Sequence, residues 1–476
     1  MYLQIALNLR TARLARKEEI RMKMQLSEVA RALGIESEDQ YDQITITSVS
    51  FDSRSLEQGA LFVPLIASND GHEFVEAAKQ NGACAALWQK DHENRPQGIP
   101  LLIVDDTLEA LQKIGKYYLQ KINPKVVAIT GSNGKTTTKD MIAAVLSTQF
   151  NVAKTHDNFN NHIGVPMTVL SMEPNTEILV VEIGMDHFGE LDHLVHLVDP
   201  DVAVITMIGE AHIEFFKTRD RIADAKMEIT HALKEDGVLV YNGDEPLLIE
   251  RAEKLDFETK TFGTGANVDL QAQNIVSDAE KTSFRVKQWP ELNFTIPMIG
   301  AYNVKNALAA LCVGSEFQID PRSMVKALEH FDLTRNRTEW VKASNGADVL
   351  SDVYNSNPTA CAEVLKAFQN AETTGRRYAV LGDMLELGEQ GPKMHAGLAD
   401  KIDPKEVDEV FLCGPLMKNL AEALTDKFDQ GKIHHYATGE KEQLVSDLKE
   451  RLRSEDMVML KGSHGIHLED VLAELR

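Results

Sequence analysis

The stretch VVAITGSNGKTTTKDMIAAVL, from Val126 to Leu146, decides how the chain folds. An apolar run that predicts a buried strand ends in Thr-Gly-Ser-Asn-Gly-Lys-Thr-Thr, and a helical pattern follows it. The glycines permit backbone positions that a Cβ would close, so successive N–H groups can converge on phosphate oxygens at the start of the helix. The standard spacing G-x-x-x-x-G-K-S/T is not met, because Ile129 stands where its first glycine belongs. A shorter phosphate loop and a plain glycine-rich turn are both open interpretations, and the lysine and threonines favour the loop.

Each residue type in this loop has a chemical task. Lys135 would reach the terminal phosphates of a nucleotide as a point charge, and Thr136 would offer its hydroxyl to Mg²⁺. The sequence therefore predicts a nucleotide site where the strand meets the helix. The loop residues predicted to bind the nucleotide are Gly131, Ser132, Asn133, Gly134, Lys135, Thr136 and Thr137.

Composition limits the possible partners. The 476 residues are enough for about three domains of roughly 150 residues each. A net charge of −23 repels nucleic acid and anionic lipid, so we expect neither as a partner, and an anionic substrate would need a local cationic site. The four cysteines are scattered without a C-x-x-C pair, which argues against disulfides or a zinc knuckle and fits a reducing, cytoplasmic setting. No apolar run approaches the roughly 20 residues of a membrane helix, so we expect no membrane insertion.

The first 23 residues are basic, and their charges follow the short apolar piece. This order is wrong for a secretory signal. Residues 1–23 read as an extension outside the folded domains, with Met22 or Met24 a more natural beginning, or else as an extra amphipathic helix.

Three α/β units follow one another along the chain. Residues 24–121 alternate short strand and helix patterns and predict a small N-terminal domain. Residues 122–333 carry nearly all-apolar strand runs, which predict a doubly wound central core with its sites at the carboxyl ends of the strands, apart from a less regular stretch at Lys254–Pro297. Residues 334–476 predict a Rossmann-like third unit, in which every strand but the last is followed by a helix. This unit lacks G-x-G-x-x-G, which argues against a dinucleotide site.

Polar side chains at the ends of the central strands are candidate ligands. Glu182 ends an apolar strand, where a carboxylate is costly unless it meets water or a cation, so it is a natural Mg²⁺ ligand or else a surface carboxylate. His212 follows the next strand, and structural and functional roles are equally open for it. Lys226 lies among apolar neighbours on a predicted helix, and the pattern alone favours an exposed helix lysine.

Further loops suggest a second binding face. The stretch Thr155–Pro166 carries three clustered asparagines, whose amides suit a peptide-like ligand but also fit an ordinary polar loop. In the third unit the loops within Ser351–Ala360, VLGDMLELGE and Lys461–Gly465 each follow a strand. Because the carboxyl ends of parallel strands meet at one edge of a sheet, we expect these three loops to face the nucleotide site.

Together these pieces resemble the Mur ligase family. The resemblance is carried by TGSNGKTT, VVEIG, IGEAHIEFF, AKMEI, GAYNVKNALAAL and DVYNSNP, and it runs from about Met24 to the C-terminus. The segments FDSRSLEQGALFVPL, NDGHEFVEAA, NFNNHIGVP, LGDMLELGE and KGSHGIHLE resemble the branch of the family that adds D-alanyl-D-alanine. The family uses the shorter phosphate loop, which explains the spacing around Ile129.

The resemblance implies an ATP-dependent amide ligase that needs Mg²⁺. ATP would phosphorylate the C-terminal carboxylate of a UDP-N-acetylmuramoyl-tripeptide, and the amine of D-alanyl-D-alanine would attack the acyl phosphate. The implied catalytic residues are Lys135, Glu182, His212 and Lys226. By analogy, one Mg²⁺ would bind Thr136 and Glu182, and a second would bind His212 and Lys226, the lysine carrying a carbamate formed with CO₂. A neutral amine is required to form that carbamate, and burial readily lowers the pKa of a lysine.

Other residues receive roles by the same resemblance. Arg337 resembles the arginine of a Gly-Arg pair that binds ATP, although Asn336 replaces the glycine and Arg335 is an alternative candidate. His464 stands where the family has arginine, which shifts a role with the dipeptide carboxylate toward Lys461. The further ATP candidates are Asn303, which resembles an adenine contact, Asp352, Tyr354 and Asn355, and the further substrate candidates are Ser53, Arg54, Asn158, Asn160, Asn161 and His187.

Three alternative functions fit the sequence less well. The neighbouring ligase that adds the third amino acid typically carries Asp-Asn-Pro-Arg, which is absent here. Folate polyglutamating ligases share the loop but lack the DSRS and DGHEF segments. A non-catalytic nucleotide-binding regulator is disfavoured by the intact candidate residues. We expect a monomer whose third unit swings to complete the site, since substrates shared among three domains require closure.

Overall fold

The computed structural model describes residues 22–278, 280–334 and 337–476. The predicted extension up to residue 21, the alternative ATP candidate Arg335 and its neighbour Asn336 therefore lie outside the described residues. Across the part of the chain that is described, no helix has both the length and the hydropathy needed to cross a membrane.

The N-terminal unit is built on a four-stranded parallel sheet. Its strands, in spatial order, are Ser48–Ser50, Ala60–Phe62, Ala83–Gln89 and Leu101–Val104. A short antiparallel pair, Met24–Gln25 with Thr45–Ile46, lies beside it. The helices are Leu26–Ala32, Val75–Gln80 and Thr107–Ile122, with 3₁₀ turns at Asp39–Gln43 and Gly71–Phe74.

The helix Thr107–Ile122 joins the N-terminal unit to the central one. Asp106 caps its start by accepting the N–H of Glu109, and Asn123 ends it in the left-handed conformation at φ 52°. Its Tyr118 hydroxyl donates to the carbonyl of Met172 at 2.9 Å. Because one helix packs on both units, the N-terminal sheet is held against the central one.

The central unit contains a nine-stranded sheet. Its strands, in spatial order, are Trp289–Ile296, Thr282–Val286, Leu270–Ser277, Glu258–Gly263, Val238–Asn242, Val202–Ile205, Lys125–Thr130, Ile178–Glu182 and Val152–Lys154. The seven strands from Leu270–Ser277 to Val152–Lys154 run parallel. The helices are Lys135–Leu146, Gly164–Leu170, Glu190–Val198, Ile213–Phe216, Arg219–Met227, Pro246–Ala252, Ala301–Glu316 and Pro321–Glu329, with a 3₁₀ turn at Glu228–Thr230.

Helices cover both faces of this sheet, as the apolar runs predict. Alternate residues of the strand Lys125–Thr130 point to different cores: Val126 and Ala128 to one, Val127 and Ile129 to the other. A strand buried on both faces must be apolar at successive positions, which is why its sequence does not alternate. The prediction of a doubly wound α/β unit is confirmed.

The stretch Lys254–Pro297 is more regular than the sequence suggested. It forms four strands, of which Leu270–Ser277, Thr282–Val286 and Trp289–Ile296 extend the sheet as an antiparallel meander. Irregular register between Gln273 and Val276, and again between Arg285 and Val286, interrupts the two-residue alternation that identifies strands in sequence.

The C-terminal unit has a six-stranded sheet. Its strands, in spatial order, are Glu339–Lys342, Asp348–Asp352, Met457–Lys461, Arg377–Gly382, Glu409–Cys413 and Ile433–Tyr436, and only the first is antiparallel to its neighbour. The helices are Pro358–Asn370, Gly391–Gly397, Met417–Leu424, Lys441–Arg451 and Glu469–Leu475, with 3₁₀ turns at Gly388–Gln390, Leu398–Lys401, Thr438–Glu440 and His464–Ile466. The prediction that no helix follows the last strand is wrong, because Glu469–Leu475 packs its apolar residues into this core. The Rossmann-like alternation itself is confirmed.

Candidate active site

The carboxyl ends of the central strands face the loops of the C-terminal sheet across a cavity of about 1220 Å³. A cavity of this size, shared by two units, can enclose a nucleotide and part of a second substrate. The sequence-predicted residues that line it are Ser132, Asn133, Gly134, Lys135, Thr136, Thr137, Asn160, Asn161, Glu182, His212, Asn303, Arg337, Asp352, Tyr354, Asn355 and Lys461.

The phosphate loop is shaped by two glycines that cannot be replaced without strain. Gly131 has φ 150°, and a Cβ there would overlap the hydroxyl of Thr206. Gly134 has φ 83° and immediately precedes the helix Lys135–Leu146, and a Cβ there would overlap the side-chain oxygen of Asn306. The loop thus turns tightly into a helix N-terminus, a backbone arrangement that binds anions.

Lys135 is held at this loop, and among the described residues it has no carboxylate partner in an ion pair. Its Nζ donates to the carbonyl of Gly131 at 2.9 Å. Burial lowers the pKa of the Lys135 ammonium; the Glu182 carboxylate opposes this shift and the Arg337 guanidinium adds to it. A cation kept in a desolvated position against a neutral carbonyl is available to an incoming phosphate.

Glu182 has the properties expected of a cation ligand. Only 1% of the residue is exposed. Its Oε1 accepts the Nδ2–H of Asn160 at 2.9 Å, whereas Oε2 is buried and has no hydrogen-bond partner among the described residues. An unpaired buried carboxylate oxygen is costly, and an oxygen-seeking ion such as Mg²⁺ would satisfy it. The donor set around Thr136 and Glu182 therefore fits magnesium.

His212 and Lys226 lie at different depths. His212 lines the cavity, and its Nδ1 lies 2.6 Å from Oε2 of Glu386, although the angle is not that of a hydrogen bond. Lys226 is 2% exposed and lies behind the cavity lining, so the interpretation of an exposed helix lysine is wrong. Burial lowers the pKa of Lys226 well below its ordinary value, and the Lys135 ammonium lowers it further.

The C-terminal unit supplies a second group of charges. The Arg337 guanidinium lies 3.9 Å from the ring centroid of Tyr354 and donates to the Thr136 hydroxyl at 3.3 Å. Lys461, 1% exposed, donates to Oδ2 of Asp352 at 2.6 Å and to the carbonyl of Asn355 at 2.9 Å. Asp352 and Asn355, which the resemblance assigned to ATP, therefore both accept hydrogen bonds from Lys461, which it assigned to the dipeptide carboxylate.

Sequence reasoning missed the contacts that join the two units. Asn133 of the phosphate loop and Asn357 exchange amide hydrogen bonds at 2.7 and 3.2 Å. Glu210 accepts from both the N–H and the hydroxyl of Thr359, at 3.2 and 2.7 Å. The available signal was Asn357 before Pro358, the pattern of an N-cap followed by a first-turn proline.

The end of the cavity that contains Asn303 is preorganised by its own hydrogen bonds. Asn303, 1% exposed, donates to the carbonyl of Ile299 at 2.9 Å and accepts from the amide of Asn306 at 3.0 Å. Lys305 pairs with Asp244 at 2.9 Å nearby. The sequence did not single out Asp244, or Lys305 within GAYNVKNALAAL, because their pairing joins two different elements of the fold.

Some predicted residues lie away from the cavity lining. Arg54 is exposed and pairs with Asp52 at 2.8 Å, next to the buried Ser53. Asn158 is exposed, and His187, also exposed, contacts Asp186 at 2.5 Å. The phosphate-loop residue Gly131 and Lys226 lie outside the lining as well. Within the lining, the side-chain oxygen of Asn161 accepts the N–H groups of Ile163 and Gly164.

Comparison with known families covers all three units. Residues 45–119 match the description Mur ligase family, catalytic domain; residues 129–314 match Mur ligase middle domain; and residues 336–464 match Mur ligase, glutamate ligase domain. The chain is 44% identical to the UDP-N-acetylmuramoyl-tripeptide–D-alanyl-D-alanine ligase of Bacillus subtilis over 437 residues, which is 92% of this chain and 94% of the relative.

Solved structures agree with the sequence match. A crystal structure of MurF from Acinetobacter baumannii has a TM-score of 0.83 at 28% identity and covers 96% of this chain and 99% of that chain. MurF ligase from Thermotoga maritima in complex with ADP has a TM-score of 0.76 at 27% identity and covers 90% of this chain and 96% of that chain. On the strength of this identity and coverage, the chain belongs to the Mur ligase family.

Proposed function

We propose that this chain is an ATP-dependent ligase that joins D-alanyl-D-alanine to UDP-N-acetylmuramoyl-tripeptide and releases ADP and phosphate. The observation that carries the proposal is a single cavity lined both by the phosphate loop and by the polar loops of the C-terminal sheet. The identity to the Bacillus subtilis ligase, at 44%, supports the same substrates here.

The reaction brings two anions together. The γ-phosphoryl group of ATP moves to the tripeptide carboxylate, and the bond to ADP breaks. The dipeptide amine then attacks the acyl carbon, loses a proton, and phosphate leaves as the amide forms. Lys135 and Arg337, which lack carboxylate partners among the described residues, would neutralise the triphosphate while this carboxylate approaches. Asn160 would keep the Glu182 carboxylate oriented toward the reacting groups.

Magnesium would be held by two sets of side chains. Thr136 and Glu182 form the first set, and His212 with carbamylated Lys226 forms the second. When bound, Mg²⁺ supplies positive charge to phosphate oxygens and aligns them for displacement. The unpaired buried Oε2 of Glu182 supports the first set.

The surroundings of Lys226 support the proposed carbamate. An amine must be neutral to attack CO₂, and burial favours the neutral form of Lys226. Carbamylation would convert a costly buried cation into an anion able to bind a metal. Its burial next to the Lys135 ammonium therefore supports CO₂ as a component of the active enzyme.

We assign residues 24–121 to the UDP-sugar, 122–333 to ATP and 334–476 to the ligase domain that completes the site, in a monomeric cytoplasmic enzyme. The ATP contacts would be made by the phosphate loop with Asn303, Arg337, Asp352, Tyr354 and Asn355. The substrate contacts would be made by Ser53, Arg54, Asn158, Asn160, Asn161, His187 and Lys461.

A product assay tests this function. The protein is offered ATP, Mg²⁺, D-alanyl-D-alanine and a UDP-muramoyl tripeptide ending in lysine or in diaminopimelate, and the products are weighed by mass spectrometry. We expect a gain of one dipeptide less water, with phosphate release that depends on both peptide partners, and no gain with Lys135→Ala. Phosphate release that ignores the dipeptide would contradict the proposal and favour a regulator that only binds and hydrolyses nucleotide.

A further inference from the structure

The loop after the C-terminal strand Arg377–Gly382 contacts the central unit beside His212, which lines the cavity. The N–H of Glu214 donates to the carbonyl of Glu386 at 3.0 Å. Gly388 packs so closely that a Cβ there would lie 3.3 Å from Cγ of Glu214. At the same place Oε2 of Glu386 lies 2.6 Å from Nδ1 of His212. Backbone, packing and side-chain contacts therefore converge on one short segment of each unit.

Both facing residues have an unusual backbone. His212 has φ 62° and Glu386 has φ 61°, the left-handed region that residues with a Cβ rarely adopt. Such conformations persist only where the surroundings impose them, and they concentrate at functional sites. Two of them meeting where the central and C-terminal units touch indicate that the position of each side chain matters.

The loop that carries Glu386 is itself fixed. The N–H of Met384 donates to Nε2 of the buried His395 at 2.9 Å, and the N–H of Leu385 donates to the hydroxyl of Ser463 at 2.9 Å. Buried polar networks whose members are all paired hold one conformation. The carboxylate of Glu386 is consequently presented from a rigid support.

We propose that Glu386 is a positioning residue for His212, and this inference rests on the proposed ligase function. A carboxylate beside one ring nitrogen of a histidine fixes the tautomer and the ring orientation, and leaves the other nitrogen available to a metal. Because the carboxylate belongs to the C-terminal unit, His212 is oriented only when the two units are docked. One contact thereby couples the docking of the central and C-terminal units to the orientation of His212.

The docking itself does not depend on this carboxylate. The Glu214–Glu386 hydrogen bond uses backbone atoms of both residues, and the Asn133–Asn357 and Glu210–Thr359 contacts join the same two units. Removing the Glu386 side chain should therefore leave the units docked but release the imidazole. This separates a positioning role from a purely structural one.

The test uses Glu386→Ala and Glu386→Gln, with Glu389→Ala as the matched control because Glu389 is exposed on the same loop. Mn²⁺ binding is measured by electron paramagnetic resonance in the presence of a non-hydrolysable ATP analogue, and the shape of each variant by small-angle X-ray scattering. We expect Glu386→Ala to weaken the affinity for the histidine-dependent Mn²⁺ about 10–100-fold with an unchanged scattering profile. Glu386→Gln should retain most of the affinity, because its amide oxygen can occupy the same place beside Nδ1 of His212, and Glu389→Ala should match the wild type.

Two results would overturn the inference. Unchanged Mn²⁺ affinity in Glu386→Ala would mean that the carboxylate does not orient the histidine, and an expanded scattering profile would make it a docking contact instead. Turnover of the wild type is measured separately. If the wild type binds Mn²⁺ and nucleotide but forms no amide, the proposed function fails while the metal-binding comparison still decides the role of Glu386.

Discussion

Replacing Lys461 with methionine removes the ammonium group that joins two strand ends at the cavity. Lys461 ends one strand of the C-terminal sheet, Asp352 ends the neighbouring strand, and the two are partners in the parallel register. The ammonium donates to Asp352 at 2.6 Å and to the carbonyl of Asn355 at 2.9 Å. Methionine keeps the length and most of the apolar packing, so the substitution isolates the loss of charge.

The size of the expected stability loss depends on the surroundings of the Asp352 carboxylate once its partner is removed. Breaking a buried ion pair by removing one partner costs about 3–5 kcal/mol, since the other charge stays desolvated and unpaired. The side chain of Asp352 is 11% exposed, so water relieves part of this penalty. We expect a loss of about 3 kcal/mol in the free energy of unfolding of the C-terminal unit. Adding Asp352→Asn should restore about 1–2 kcal/mol, because the stranded carboxylate is then neutral.

The three tryptophans allow the C-terminal unit to be followed separately. Trp340 lies on a strand of that sheet, whereas Trp88 and Trp289 lie in the N-terminal and central sheets. Urea unfolding monitored by fluorescence in a Trp88→Phe, Trp289→Phe background therefore reports the free energy of unfolding of the C-terminal unit. Chains with several domains rarely unfold in one step, so a local probe is needed.

The double variant decides the interpretation. If Asp352→Asn with Lys461→Met is no more stable than Lys461→Met alone, the ion pair is not what the lysine contributes. Steady-state kinetics of the Lys461→Met variant distinguish two roles of Lys461 in the reaction. A higher KM for the dipeptide with unchanged kcat would support direct contact with substrate, and a lower kcat with unchanged KM would mean that Lys461 acts through Asp352.

Three further predictions concern other parts of the cavity. Gly134→Ala should lower the free energy of unfolding by about 2 kcal/mol, because the added methyl group meets Asn306 at a residue with a left-handed φ. The variant should also lose most of its nucleotide affinity in calorimetry, and wild-type affinity would contradict this prediction. Lys226 should give a carbamate signal in ¹³C NMR with labelled bicarbonate that Lys226→Arg lacks, and its absence in the wild type would refute the assignment. Burial alone would raise the pKa of Asp244, but backbone N–H groups and Lys305 outweigh it and lower the pKa from 3.8 to about 2. A carboxyl with a lowered folded-state pKa stabilises the fold above about pH 4 and loses this contribution as the pH falls toward 2. Asp244→Asn should therefore lower the free energy of unfolding by on the order of 2 kcal/mol at pH 7 and by much less at pH 2, as measured by urea unfolding.

The sequence predicted those features that are encoded locally. The phosphate loop is recognisable because strand, glycines, lysine and helix are adjacent, and Glu182 stands out because a carboxylate ends an apolar strand. Both follow from chemistry within a few residues. The fold class was predictable for the same reason, since uninterrupted apolar strands require helices on both faces of a sheet.

Features that depend on distant contacts were not predictable. The Asn133–Asn357 pair joins residues 224 positions apart, and nothing near either asparagine indicates the other. The burial of Lys226 was missed because its helix, Arg219–Met227, carries polar residues on several sides, so no periodic pattern marks the buried face. The position of Glu386 beside His212 likewise exists only once two units are docked.

The charges of the cavity explain how so acidic a protein can accept anionic substrates. Several cations line it, but most are already paired: Lys461 with Asp352, Lys305 with Asp244, and Arg219 with Glu245. Among the described lining residues, Lys135 instead donates to a neutral carbonyl, and Arg337 lies over an aromatic ring. A paired cation gives little extra attraction to a phosphate, because its field is largely cancelled by its partner. The unpaired cations should therefore determine nucleotide affinity, while the paired ones fix the geometry of the walls.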